Sequence, residues 1–210
     1  MAGRRRDLLT PLALAAAFGA FAFTFRGPRN RFWQRMTWTG IGLGSLSLVA
    51  DPELRKTRIR RSDVPVGLGS AALLYGVFQV GDRLARRILP KGGDEIGQMY
   101  ALRDLRPTPE LAVRLGLVIG PAEELFWRGF VQKRFEGVVG VWPAAALASA
   151  AYAGGHIAAR NFTLFGAAGV AGGFWSALAA AGVPLGALIV SHIAWDIWIF
   201  LIAPTAQGNR

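Results

Sequence analysis

The chain has 210 residues, of which 52% are hydrophobic and only 18% are charged, yet its formal net charge is +11. Ordinary soluble domains are less apolar and more highly charged, so this composition excludes a typical soluble domain and a disordered basic tail. The basic residues flank apolar segments instead of forming one basic face, which argues against nucleic-acid binding and favours contact with lipid headgroups. The chain contains no cysteine, which excludes disulfides, thiolate nucleophiles and cysteine-ligated metals.

The N-terminal half contains three apolar segments separated by basic clusters. Residues 8–25 carry no charge and follow three arginines at 4–6, a pattern shared by signal peptides and by first membrane helices. We favour a retained helix, because the chain downstream is also membrane-like. The segments 36–50 and 64–80 follow, each bounded by charged residues.

A polar stretch then interrupts the apolar pattern. Within residues 94–106, the side chains of Ile96, Met99, Leu102 and Leu105 recur at helical spacing. This spacing predicts an amphipathic helix lying at the membrane interface. A solvated loop helix is the alternative.

Four further apolar segments complete the chain: 111–130, 138–157, 162–181 and 183–203. A spanning helix needs about 20 apolar residues. The pattern therefore predicts an all-α fold, a polytopic membrane helix bundle with about seven to eight transmembrane helices and an interior polar site. Basic clusters follow each of the first three apolar segments, so the charge pattern does not define the orientation in the membrane.

Ionisable side chains are unexpected inside these apolar segments. Each costs about +2.5–3.5 kcal/mol on membrane-insertion scales, so such residues indicate function. The second half of the chain places several of them in apolar segments, including both histidines of the sequence: Glu123, Glu124, Arg128, His156, His192 and Asp196.

Helical geometry sorts these residues into pairs. Glu124 and Arg128 are four residues apart and share a face, so Arg128 can neutralise Glu124, whereas Glu123 points about 100° away. The pairs 152/156 and 192/196 have the same spacing. Pro121, just before the two carboxylates, either kinks the helix or begins a new one.

These pairs predict acid–base chemistry. Glu123, which Arg128 does not neutralise, is the candidate general base, and beside a neutral histidine it can orient and deprotonate a water molecule. A second histidine with a carboxylate partner can stabilise the oxyanion that forms when water attacks a carbonyl.

Three motifs in this order resemble the CPBP family. They are Glu-Glu-x-x-x-Arg at 123–128, aromatic-x-x-x-His at 152–156 and His-x-x-x-Asp at 192–196, each within an apolar segment. That family comprises the type II CAAX prenyl endopeptidases and the bacteriocin-processing or self-immunity proteins, also called the Abi family. The resemblance covers about residues 110–203.

The resemblance implies a division of the chain and a role for each residue of the first two motifs. Residues 1–109 would be variable N-terminal membrane helices with an interfacial loop, and residues 110–204 the CPBP-like catalytic helical core, together forming one membrane domain. Glu123 and His156 would activate the hydrolytic water. The side chains of residues 124 and 128 would form a supporting ion pair.

The third motif implies an oxyanion-stabilising and orienting pair, His192 and Asp196. An ionised aspartate cannot donate a hydrogen bond to an oxyanion, so we expect Asp196 to orient His192. Tyr152 stands where the family usually has Phe. We expect this departure to be mild because the ring is kept.

The resemblance implies an intramembrane endopeptidase that acts on a membrane-associated protein or peptide substrate. We expect an integral, multi-pass protein of the bacterial inner membrane, with the lipid bilayer as its other partner and no nucleic acid. A metal-independent mechanism without a cofactor is favoured, because Glu123 and His156 suffice for base catalysis and a His-Glu-x-x-His zinc motif is missing.

Three alternatives stay open. Two histidines with acidic residues also fit a catalytic zinc site, so a zinc-dependent version of the same protease is one. A proton-coupled transporter is the second, since intramembrane glutamates and histidines also line ion pathways. A non-catalytic immunity or scaffold protein that keeps the fold is the third.

Overall fold

The computed structural model describes residues 8–89 and 91–204, and this part of the chain forms a bundle of helices. The arginines at 4–6 and Pro90 lie outside the described residues. The helices are α1 (Leu9–Phe25), α2 (Phe32–Ala50), α3 (Asp63–Ile88), α4 (Gly92–Tyr100), α5 (108–139), α6 (Val141–His156), α7 (Phe162–Ala180) and α8 (Leu185–Ile202).

Helices form where the apolar segments predict them, but several bounds differ. The helix α2 begins at Phe32, before the predicted start at 36, and α3 continues to Ile88, beyond the predicted end at 80. The extension of α3 carries an ion pair between Arg86 and Asp82, 3.0 Å apart and four residues along the helix. Charged residues therefore prolong the helix after its apolar segment has ended.

The all-α membrane bundle is confirmed, but fewer helices than predicted satisfy the criteria for a span. Among the described residues, α3, α7 and α8 are long and apolar enough to cross a membrane, and α1 is apolar but shorter. We predicted about seven to eight transmembrane helices. The difference arises because the remaining helices are shorter or carry more polar side chains.

The central helix is α5, which packs against α2, α6 and α8. Its side chains Phe126, Trp127 and Phe130 are buried. The helix passes through Pro121 without ending, so no separate helix begins there, which was one of the two possibilities that the sequence left open. A π-helical turn at Leu115–Ile119 precedes the proline, and this wider turn accommodates a ring that clashes with the preceding turn of a regular helix.

The predicted amphipathic helix exists but is shorter than 94–106. It is α4, followed by a 3₁₀ turn at Arg103–Leu105. Ile96 and Leu102 are buried, and the indole nitrogen of Trp33 donates to the Leu102 carbonyl oxygen at 2.7 Å. The segment just after α4 therefore lies against the start of α2, whereas α4 itself packs against α7 and α3.

Glu95 links α4 to the first turn of α7 by hydrogen bonds. Its Oε2 accepts hydrogen bonds from the Thr163 hydroxyl at 2.6 Å and from the Thr163 backbone N–H at 2.7 Å. Both hydrogen bonds lower the pKa of Glu95 below its ordinary value of 4.5, and the hydroxyl has the larger effect. The contact therefore stabilises the fold above the pKa of the unfolded chain, and the stabilisation is lost as the pH falls through the lower pKa of the folded protein.

We expect Glu95→Gln to lower the free energy of unfolding by about 1 kcal/mol at neutral pH, because a charge-assisted hydrogen bond is lost. The difference from the native protein should shrink as the pH falls below 4.5. Thermal unfolding in detergent micelles over a pH series measures this. Asp94→Asn, at the exposed neighbouring position, is the control, and a Glu95→Gln difference that is independent of pH contradicts the prediction.

Candidate active site

Four of the six predicted ionisable residues line one cavity of about 160 Å³ within the bundle. Glu123 reaches it from α5, Tyr152 and His156 from α6, and His192 and Asp196 from α8. Both histidines and Glu123 are almost completely buried. The fold therefore brings together polar side chains that are up to about 70 residues apart in the sequence.

Glu124 and Arg128 form an ion pair inside the bundle. The Glu124 Oε1 accepts from Arg128 Nη1 at 2.9 Å, and Arg128 Nη2 donates to the Gly172 carbonyl oxygen at 3.1 Å. The exposed fractions of the two residues are 0% and 2%. Neither charge is solvated, so each depends on these contacts.

The hydrogen-bond partner of His192 is not the one that the motif spacing suggested. Its Nδ1 lies 2.7 Å from Glu124 Oε1, whereas Asp196 Oδ2 lies 3.7 Å from its Nε2, which is too long for a hydrogen bond. An ionised carboxylate only accepts, so Nδ1 carries a proton and donates to Glu124. Glu124 therefore orients His192 directly, and Asp196 faces the opposite ring nitrogen.

Glu123 points away from this ion pair, as the helical geometry predicts. Its Oε2 accepts a hydrogen bond from the Tyr152 hydroxyl at 2.9 Å. The same oxygen lies 4.0 Å from His192 Nε2. The carboxylate of Glu123 is thus placed between α6 and α8 at the cavity wall.

His156 has a defined tautomer. Its Nδ1 lies 2.9 Å from the Tyr152 carbonyl oxygen, which can only accept, so Nδ1 carries the proton and the neutral ring presents Nε2 as an acceptor. The rings of Phe21 and Phe25 cover His156, with centroids 4.9 and 5.5 Å away.

The two glycines before His156 lie against a neighbouring helix. The neighbour is α1: a Cβ atom at Gly154 would lie 3.7 Å from the Phe18 ring, and one at Gly155 would lie 3.4 Å from the Phe21 ring. A Cβ atom at either position would make ordinary van der Waals contact, so the packing of α1 against α6 does not require glycine here.

Sequence spacing missed Trp175 of α7. Its ring stacks on His192 with centroids 4.0 Å apart and planes inclined by 17°. The indole nitrogen donates to the Ser191 hydroxyl at 3.0 Å, and the Arg128 guanidinium lies 5.3 Å from the ring centroid. The lone tryptophan in a helix rich in Ala and Gly was the signal that could have identified it.

The described side chains form no ready-made metal site. A catalytic zinc site takes three protein ligands at about 2.0–2.2 Å, and no group of three His, Asp or Glu side chains among residues 8–89 and 91–204 has a metal-binding arrangement. The Nδ1 atoms of both histidines donate to protein oxygens, which is also how zinc-bound histidines are oriented, so zinc dependence is tested by chelation.

Comparison with protein families matches residues 107–198 to the family described as Type II CAAX prenyl endopeptidase Rce1-like. The matched segment contains every site residue predicted from the three motifs. The resemblance to the CPBP family is thereby confirmed for this segment, and the three helices that are long and apolar enough to cross a membrane support an integral membrane protein. No curated protein and no solved structure matches the chain.

Proposed function

We propose that this chain is an intramembrane endopeptidase, because residues 107–198 match the Rce1-like family of CAAX-type proteases. It hydrolyses a peptide bond of a membrane-associated protein, using water activated by Glu123 and His156. The observation that carries the proposal is that the Glu123 carboxylate and the His156 ring line the same interior cavity.

These two side chains can activate one water molecule. The carboxylate and the unprotonated Nε2 of His156 are both acceptors, so each can accept one proton of the same water. As the water oxygen attacks the substrate carbonyl carbon, Glu123 takes a proton from it. That proton then passes to the amine nitrogen as the C–N bond breaks.

His192 is proposed to stabilise the oxyanion. Its Nδ1 donates to Glu124, so its Nε2 can donate to an oxyanion only when the ring carries both protons. Glu124 and Asp196 are the carboxylates that can balance the charge of that ring. Arg128 in turn balances Glu124 and holds it in place.

A second cavity suggests where the apolar part of a substrate binds. This cavity has a volume of about 320 Å³, and Met99, Leu164 and Trp195 are among the residues that it shares with the catalytic cavity. Its walls are largely apolar side chains from α3, α4, α7 and α8. We propose that it receives the apolar group next to the cleaved bond, and that the protein works in the bacterial inner membrane.

The test is hydrolysis by the purified protein in phospholipid vesicles. One probe peptide ends in a farnesylated C-a-a-X sequence, and a matched probe carries an unmodified apolar segment in its place. We expect cleavage of at least one probe, with the cut site identified by mass spectrometry. Cleavage that is equally fast with native protein and with His156→Ala contradicts the proposal.

Chelation decides between this mechanism and its zinc-dependent version. Full activity of protein stripped with a chelator and shown to be metal-free contradicts the zinc mechanism. Activity that returns only when Zn²⁺ is added contradicts the metal-independent one.

The remaining alternatives belong to other classes of protein. Proton flux can be measured with a pH-sensitive dye inside the vesicles. A flux that Glu123→Gln or His156→Ala abolishes would support a proton-coupled transporter. Cells carrying native or Glu123→Gln protein can also be compared for membrane and exported precursors. A precursor that accumulates names the substrate class, and failure to find one favours a non-catalytic scaffold.

A further inference from the structure

Within the described structure, Tyr152 is the one residue that contacts both Glu123 and His156 in this way: its hydroxyl donates to Glu123, and its backbone carbonyl accepts from His156. We propose that Tyr152 is a positioning residue that orients both members of the water-activating pair. This inference rests on the proposed function and deepens it, because it assigns a task to a hydroxyl that the resembling family usually lacks.

The hydroxyl acts on the general base. It donates to Glu123 Oε2 at 2.9 Å, and Glu123 is buried to an exposed fraction of 3%. A hydrogen bond to a charged acceptor in a buried place has a strong preference for one geometry. The contact occupies one of the two acceptor sites of Oε2, so Oε1 is the less engaged oxygen and the one that takes the proton of the water.

The backbone of the same residue acts on the histidine. The Tyr152 carbonyl oxygen accepts from His156 Nδ1 at 2.9 Å, one helical turn along α6. This contact keeps the proton on Nδ1 and leaves Nε2 free to accept from the water. A phenylalanine at this position would provide the carbonyl contact but not the hydroxyl contact.

The phenol ring is held firmly enough to transmit this orientation. Trp127 meets it edge to face with centroids 5.5 Å apart, and the Arg128 guanidinium lies 5.1 Å from its centroid. On the opposite helix, a Cβ atom at Gly172 would lie only 2.8 Å from Tyr152 Cδ1. The hydroxyl therefore has a fixed position relative to α5 and α7.

The rival explanation is that the hydroxyl donates to Glu123 only because a buried hydroxyl needs a partner. That explanation predicts an effect on stability and none on the rate of the chemical step. The two explanations are therefore separated by measuring kcat and KM alongside the thermal midpoint.

The experiment uses the full chain in phospholipid vesicles with whichever of the two peptide probes, farnesylated or unmodified, the native protein cleaves. We expect Tyr152→Phe to lower kcat by about ten- to a hundredfold with KM unchanged, because a hydrogen bond to a charged group is lost. Replacement by 3-fluorotyrosine keeps the hydroxyl and should keep kcat within about threefold of the native value. Tyr75→Phe is the matched control, because it removes a hydroxyl that donates to the Ala203 carbonyl oxygen at 3.0 Å outside the site.

A double-variant cycle identifies the group through which Tyr152 acts. Glu123→Asp withdraws the carboxylate from the hydroxyl, so Tyr152→Phe should cost little more in that background. Effects that multiply in full would show that Tyr152 acts independently of Glu123, which overturns the proposal.

The remaining outcomes are also decisive. Native kcat in Tyr152→Phe, together with an inactive Glu123→Gln, overturns the role of Tyr152 and leaves the proposed function intact. Native activity in Glu123→Gln overturns the proposed function itself. If Tyr152→Phe fails to fold, the pH profile of kcat decides in the 3-fluorotyrosine protein, whose more acidic hydroxyl donates a stronger hydrogen bond to Glu123. A shifted profile supports the role of the hydroxyl, and an unchanged profile overturns it.

Discussion

Glu123→Gln is expected to lower kcat for peptide hydrolysis by about 10²–10⁴-fold, the usual contribution of a general base. Glutamine has nearly the same shape, and its amide oxygen can still accept from the Tyr152 hydroxyl that lies 2.9 Å from Glu123 Oε2. The variant should therefore fold and bind substrate but be unable to take a proton from water. Initial rates over a range of peptide concentrations in vesicles measure kcat and KM separately.

Glu136→Gln is the matched control for this prediction. Glu136 lies on the same helix near its far end, where it pairs with the exposed Lys133 at 2.8 Å. We expect this variant to cleave at the native rate. Equal activity of Glu123→Gln and Glu136→Gln would remove Glu123 from the mechanism.

The largest expected effect on stability belongs to Arg128. The substitution Arg128→Met removes the contact of Nη1 with Glu124 at 2.9 Å. The Glu124 carboxylate stays buried, since that residue has an exposed fraction of 0%. Glu124 keeps its hydrogen bond to His192 Nδ1 but loses its guanidinium partner, and breaking a buried ion pair by removing one partner costs about 3–5 kcal/mol. We expect a loss of that size in the free energy of unfolding, measured by denaturant titration in detergent micelles.

Two comparisons make this prediction specific. Lys133→Met breaks an ion pair on the same helix whose lysine side chain is 63% exposed, and exposed pairs contribute about 0–1 kcal/mol. The double variant Glu124→Gln/Arg128→Met removes the stranded charge and should recover part of the lost stability. A single Arg128→Met as stable as Lys133→Met contradicts the account of a buried pair.

Relations within one helix could be predicted from the sequence. The pair Glu124 and Arg128 follows from a spacing of four residues, and the structure places its atoms 2.9 Å apart. The same geometry correctly directs Glu123 away from that pair. Apolar segments likewise predict where helices form, although charged residues such as Arg86 continue α3 beyond its apolar part.

Relations between helices could not be predicted in the same way. The hydrogen bond between Glu124 and His192 joins residues 68 positions apart, and no spacing rule defines how two helices are rotated about their axes. The motif suggested Asp196 as the partner of His192 because both lie on one helix. Trp175 was missed for the same reason, since its contact with His192 depends on how α7 packs against α8.

Residues outside the matched segment line part of the cavity, since Phe25, Phe32, Trp33 and Met36 of the first two helices lie at its wall. The chemistry and the shape of the site therefore reside in different parts of the chain. Exchange of the N-terminal helices between relatives would change which substrates fit while the bond-breaking groups stayed the same. Conversely, residues 107–198 expressed alone would lack one side of this cavity. Under the proposed function, new specificities can thus arise without any change to the three motifs.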